Sequence, residues 1–183
     1  MVVPLPGRAV SAFLFGKMPA HGDFIARGLA AEERDALDLY LSAELAAARE
    51  TLGDSFEERF DSAPPWRFAW AGETWTAGAV ASSVDSVGRR FPLLVGRTEV
   101  EPGAVAAMAE ACEQAIYDAF DQSWTADDLA AAVDALESAE SDGRPAESWW
   151  TLGGEGFDES SLSGARPAGL LTAMLDNGAR AAA

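Results

Sequence analysis

The chain has 183 residues, 49% hydrophobic and 23% charged, which gives it enough apolar surface for a globular domain with one core. Its formal net charge of -17 sets it against polyanions, so neither nucleic acid nor an anionic membrane surface is expected as a partner. Cys112 is the only cysteine and excludes an internal disulfide; with no signal-peptide pattern in "MVVPLPGRAV" and no apolar run near the ~20 residues of a membrane span, a cytoplasmic protein without membrane insertion is expected.

In chain order, "AVSAFLF" (9–15) predicts a strand that Gly16 and Pro19 end. From Glu32 to Leu52 the residues Leu37, Tyr40, Leu41, Leu45, Ala48 and Leu52 recur at helical steps, and Gly53 marks the stop. "DSFEERF" (54–60) predicts a short second helix. Strands are predicted from Trp66 to Trp70 and from Trp75 to about Ser82, around a loop at Ala71–Thr74. "FPLLVGRT" (91–98) predicts a fourth strand. A helix from Gly103 to Phe120 places Val105, Met108, Cys112, Ile116 and Ala119 on one face. Thr125 and Asp128 have the spacing of a capping box before Leu129, Val133 and Leu136. "SDGRPAE" (141–147) is a break, "SWWTLG" (148–153) a late strand, and Pro167 opens a last helix through Leu170, Leu171, Met174 and Leu175. The tail "NGARAAA" is expected to fray.

Strands early, in the middle and late, with helices between them, predict an α+β fold. It is a single layered domain, with a core over about residues 10–176 and a mainly antiparallel sheet flanked by helices. Trp66, Phe68, Phe91 and Trp149 lie in strand-like apolar runs and are expected to be buried.

Chemistry-bearing patterns are sparse. A nucleophilic site needs Ser, Thr or Cys beside a base, usually His. His21 is the only histidine, no G-x-S-x-G elbow occurs, and Cys112 falls on the apolar face of its predicted helix. One His and one Cys cannot build a structural zinc site. "LGGEGF" lacks both the Lys of a P-loop and the spacing of a dinucleotide loop. No cofactor or metal is therefore expected, and "ADDLAAAVDALESAESD" reads as a solvated helix face.

Two stretches stand apart: "GKMPAHGDFIARGL" (16–29) and "SSVDSVGRRFPLLV" (82–95). Each puts glycine and opposite charges at the end of an apolar strand, where a rigid scaffold presents loop chemistry. They contain Lys17, the only lysine, and Arg27, Arg89 and Arg90, four of the 13 basic residues. Gly16 and Gly22 are expected to supply backbone angles that a side chain forbids, and Phe24 and Ile25 to anchor the first loop in the core. Arg27 and Arg89, set between apolar neighbours, are assigned to internal pairs with Asp23 and Asp85. Lys17 and Arg90 are assigned to an exposed rim. His21 is expected to donate to a backbone oxygen.

These stretches, with "WRFAWAGETWTAGAV" between them and the late "WW", resemble the TagF family of bacterial type VI secretion-associated proteins. The resemblance runs through Gly16-Lys17-Met18-Pro19, Gly22-Asp23-Phe24-Ile25, Arg27-Gly28-Leu29, Trp66-Arg67-Phe68, Ser83-Val84-Asp85, Val87-Gly88-Arg89, Phe91-Pro92-Leu93 and Trp149-Trp150, in order, over roughly residues 13 to 175. It implies a non-enzymatic, post-translational repressor of type VI secretion that engages the forkhead-associated scaffold protein of that apparatus. It also implies an antiparallel fold, somewhat longin- or profilin-like. Lys17, His21, Asp23, Arg27, Ser83, Asp85, Arg89 and Arg90 are the candidate partner-binding or loop-shaping residues. His21 falls at a variable position of the family pattern, so the resemblance assigns it no role. Two alternatives stay open: a hydrolase built on His21 and Asp23, and a structural accessory subunit exposing a large apolar patch.

Overall fold

The computed structural model describes residues 11–141 and 145–177. Seven strands form one antiparallel sheet: β1 (Ala12–Gly16), β2 (Ile25–Arg27), β3 (Trp66–Trp70), β4 (Trp75–Ala81), β5 (Leu93–Val100), β6 (Ser148–Thr151) and β7 (Ser160–Ser163). Their order across the sheet is β2-β1-β5-β4-β3-β6-β7. Five helices cover it: α1 (Ala31–Leu52), α2 (Phe56–Ser62), α3 (Val105–Asp121), α4 (Ala126–Asp134) and α5 (Leu170–Asp176). The expected α+β fold with an antiparallel sheet is what the chain adopts.

Strand alternation sorts the core into two layers. Phe13, Phe15, Trp66, Phe68, Val80, Leu94 and Trp149 face α1, α2 and α5. Ala12, Leu14, Ala69, Ala77, Ala79, Ala81, Leu93 and Val95 face α3 and α4. One layer is aromatic and the other small, so α3 packs closely on alanines while rings fill the space under α1. Phe68 stacks on Trp70 at 4.2 Å between centroids and lies 4.9 Å from Trp149. Gly96 makes room for this: a Cβ there would sit 2.5 Å from the Phe13 ring.

Helix α1 follows its apolar period, with Leu37, Leu41, Leu45 and Ala48 buried. It also buries Glu44, whose carboxylate accepts from the backbone N–H groups of Gly169 and Leu171 at the start of α5. In α3, Cys112 is fully enclosed among apolar neighbours, and burial pushes its thiol up to about 12. It is a core residue.

Several boundaries differ from the sequence pattern. The expected loop after β1 contains a strand, β2, of only three residues, too short to show alternation. β7 is three serines and a leucine, with little strand propensity, and forms by pairing with the Trp-rich β6. The fourth strand starts at Leu93 rather than residue 91, because Pro92 has no N–H for the ladder. The last helix starts at Leu170 instead of Pro167, whose carbonyl accepts from Tyr40 Oη. Residues 9 and 10 of the first predicted strand, residues 142–144 of the break and 178–183 of the tail lie outside the described residues.

Trp66, Phe68, Phe91 and Trp149 are all buried, although Phe91 lies in the loop before β5. Its ring packs edge-on against Phe15 and Phe24. Phe91→Ala is expected to cost about 3–5 kcal/mol in chemical denaturation, and a loss below about 1 kcal/mol would contradict its enclosure.

Candidate functional site

The two unusual stretches leave β1 and β4, the strands on either side of β5, at the same end of the sheet. β1 ends where Gly16 pairs with Leu93, and β4 ends where Ala81 pairs with the same Leu93. At Gly16 the chain turns with φ at 131°, and a Cβ would overlap the Pro92 carbonyl oxygen at 2.0 Å. The loops 17–24 and 82–92 therefore emerge side by side.

Asp85 joins them. Lys17 Nζ donates to Asp85 Oδ2 at 2.8 Å, and Arg89 Nε donates to the same oxygen at 2.7 Å. Asp85 Oδ1 accepts from the backbone N–H groups of Val87 and Arg89 at 3.1 and 2.9 Å. Arg89 Nη2 reaches across to donate to the Gly22 carbonyl, and Ser86 N donates to the His21 carbonyl at 2.8 Å. Burial alone would push the Asp85 carboxyl up, but the hydrogen bonds from Lys17, Arg89 and Val87 outweigh it and hold the carboxyl well below the usual range. The first loop is thus tied to the second by an ion pair, a guanidinium bridge and a backbone bond.

This placement corrects several expectations. Lys17 is not on an exposed rim: it is 5% exposed and belongs to the buried pair. The flexible aliphatic stem lets its ammonium reach back to Asp85 from the strand end. Arg27 does not pair with Asp23. Its Nε donates to Asp127 of α4 at 2.7 Å in an exposed pair, and Asp23 stands exposed with no ion pair among the described residues. Arg90 is not a rim charge either: its guanidinium makes two bonds to Asp61, at 2.8 and 2.7 Å, and approaches Glu57 at 3.2 Å. It fixes the second loop to α2, and its bond holds the Asp61 carboxyl below its ordinary value. Arg89 pairs with Asp85 as expected.

His21 accepts rather than donates. Its Nε2 takes the backbone N–H of Ala126 at 2.9 Å, at the first residue of α4. That assigns the ring the Nδ1–H tautomer, and no hydrogen bond joins His21 to Asp23 among the described residues. Thr125 and Asp128 do form the expected capping box there. Ser83 is buried with its carbonyl bonded to Phe91 N, while its hydroxyl has no partner among the described residues. Ile25 is in the core as expected, but Phe24 is 52% exposed and stays at the surface over Phe91 and Lys17. Gly22 has an ordinary φ; its value to the loop is that a Cβ would crowd Ser86 Oγ at 3.3 Å.

The sequence pattern gave no sign of Arg97. This buried β5 residue donates through Nη1 to the carbonyls of Val133 and Leu136 at 3.0 and 2.9 Å, closing the C-terminal end of α4. Helix α4, which borders the first loop, is held at both ends by side chains from elsewhere in the chain.

Two outcomes follow from this arrangement. Lys17→Met removes the enclosed cation of the pair and leaves Asp85 with the half-exposed Arg89 alone; it is expected to lower the melting temperature by several degrees, whereas Arg27→Ala, breaking an exposed pair, is expected to change stability by about 0.5 kcal/mol or less. Because native Asp85 titrates below the ordinary Asp value of 3.8, it stabilises the fold above that value. The contribution fades as pH falls through the lower native value. Acid-unfolding curves should therefore be steeper for the wild type than for Asp85→Asn; parallel curves would contradict the assignment.

The family model described as "TagF N-terminal domain, Type VI secretion system-associated" matches residues 14–136. No curated protein matches the chain. Among solved structures, PA0076 from Pseudomonas aeruginosa PAO1 superposes with a TM-score of 0.74 over 90% of this chain and 94% of that one, at 22% identity, which is a likeness of fold. The matched segment begins inside β1, includes both joined loops and ends just after α4, and on that match the chain belongs to the TagF N-terminal domain family of type VI secretion-associated proteins.

Proposed function

We propose that the protein is a non-enzymatic, post-translational repressor of a type VI secretion system, acting in the cytoplasm by binding the forkhead-associated scaffold component. The observation that carries this reading is that the family's motif residues are spent on one another. Lys17, Asp85, Arg89 and the His21 and Gly22 carbonyls are consumed in joining the two loops, and Arg27 and Arg90 in fastening them to α4 and α2. A hydrolase would need His21 paired with Asp23 and facing a nucleophile. Instead the His21 Nε2 lone pair holds a helix end. What the joined loops offer outward is shape and apolar surface: Phe24 and Val87, the latter 70% exposed. A rigid presentation of this kind suits recognition, since little ordering remains to be done on binding.

The test is a secretion assay in the native host with the protein deleted and restored, alongside capture of the purified scaffold. Restoration is expected to silence secretion and the protein to capture the scaffold. Val87 is 70% exposed, so Val87→Arg should melt like the wild type and weaken capture by roughly tenfold or more if Val87 is an anchor. His21→Ala is expected to lose about 1 kcal/mol of stability through the unmet Ala126 N–H while still repressing. Normal folding of His21→Ala with complete loss of repression would contradict the non-catalytic role given to His21.

A further inference from the structure

The two edges of the sheet are treated differently. At the β2 edge the strand has only three residues, and the Ala26 carbonyl accepts from Arg27 Nη1 while Arg27 Nε is fastened to Asp127 of α4. A short strand under a charged side chain is a common guard against pairing with other chains. The β7 edge has no such guard among the described residues. Ser160–Ser163 holds no proline and no charge, and Ser161 and Ser163 are exposed.

The register decides which backbone groups of β7 are free. Ser148 stands opposite Ser163, and Gly164 N donates to the Glu147 carbonyl at 2.9 Å. The N–H and C=O groups of Ser160, Leu162 and Gly164 therefore turn toward β6, and those of Ser161 and Ser163 turn outward, bonded to no other group among the described residues. Side chains alternate in step. Leu162 and Ser160 lie on the α5 side, and Ser161 and Ser163 on the other.

On the α5 side the edge borders a cleft of about 470 Å³ lined by Asp158, Ser160, Thr172, Ala173 and Asp176, all with accessible surface. Its described lining holds two carboxylates and no cation. Glu159 adjoins it in sequence. Of the cations nearest in the chain or across it, Arg59 stacks over the Phe157 ring, and Arg166 is turned away onto Tyr40 and the Ala36 carbonyl of α1. Three carboxylates against the Arg59 guanidinium leave this end net negative, in a chain of charge -17, so a basic occupant is favoured over an acidic one.

We propose that β7 receives an extended segment of a partner protein as a further strand, antiparallel like the rest of the sheet, with Lys or Arg at alternate positions directed into the Asp158–Asp176 cleft. Main-chain bonds to Ser161 and Ser163 supply affinity, and the cleft reads the alternate side chains. Residues paired with Ser161 and Ser163 share their face, so it is the residues between them that reach the cleft. The edge is a different surface from the joined loops, and the proposal goes beyond the scaffold assignment without depending on it.

The probe is a fluorescein-labelled peptide, Thr-Lys-Val-Lys-Val-Lys-Thr, with three relatives: one with Glu for every Lys, one N-methylated at both Val, and one N-methylated at the central Lys. The Lys peptide is expected to bind, more weakly as salt rises, and the Glu peptide roughly tenfold or more weakly still. Methylation at Val removes the N–H groups aimed at β7 and should abolish binding. Methylation at the central Lys, whose N–H points away, should change it by less than about threefold. Amide exchange at Ser161 and Ser163 should be fast in the free protein and slowed roughly tenfold or more by the peptide. Ser161→Pro removes an outward N–H and no ladder bond, so it should melt like the wild type and lose the peptide. Asp158→Lys, at an exposed position, should weaken the Lys peptide several-fold and carries the test if Ser161→Pro does not fold. Absence of binding, equal binding of the Lys and Glu peptides, or binding that survives methylation at Val would each overturn the proposal. So would slow exchange of Ser161 and Ser163 in the free protein, with deletion of residues 178–183 and dilution showing whether the tail or a second copy is the occupant. Val87→Arg is expected to keep peptide binding and Ser161→Pro to keep scaffold capture, so failure of this proposal and failure of the scaffold reading are told apart.

Discussion

A buried ion pair between Lys17 and Asp85 organises the functional end of this molecule. Isolated, each charge would be costly to enclose; the pair is tolerated because Asp85 also accepts from two backbone N–H groups and from Arg89. Such a pair adds little net stability compared with a well-packed apolar one, but it admits few alternative geometries. It defines where the first loop must lie against the second. From that junction Arg90 reaches to α2, and His21 of the first loop accepts from the first residue of α4, so both helical layers are referred to one point at the end of the sheet.

Helix α4 illustrates how the same end is built from distant parts. It has nine residues, too few to be stable by propensity alone. Its N-terminal N–H groups are met by Thr125 and His21, and its final carbonyls by Arg97 from within the sheet. The acidic first turn at Asp127 and Asp128 suits the positive end of the helix dipole, and the Thr125 bonds keep the Asp128 carboxyl below its ordinary value. The small residues of the facing sheet layer let α3 and α4 approach closely enough for these long-range contacts to form.

Periodicity carried most of the architecture. The steps of Leu37, Leu41, Leu45 and Ala48 in α1, and of Val105, Met108, Cys112 and Ile116 in α3, report burial directly. The Trp66–Trp70 and Trp75–Ala81 strands were legible in the same way. β2 and β7 were not, since their pairing comes from neighbours and not from their own residues. At the site, residue types and loop positions could be read but partners could not. Lys17 finds Asp85 68 residues away, Arg27 finds Asp127 100 residues away, and His21 meets Ala126 across 105. Local reasoning pairs a charge with its nearest opposite, Asp23 for Arg27, whereas the sheet register decides which segments meet. Arg89 with Asp85 was legible because those residues lie four apart in one turn.

The chain's single lysine is also its most enclosed basic side chain at the junction of the loops. Its ammonium is held in the ion pair, so the native surface among the described residues presents no side-chain amine. Reagents and enzymes that acylate, alkylate or ubiquitinate lysine would find their target only when the two loops separate. The rate at which Lys17 becomes modified is therefore a chemical clock for the opening of this end of the protein, readable on one residue without any introduced label.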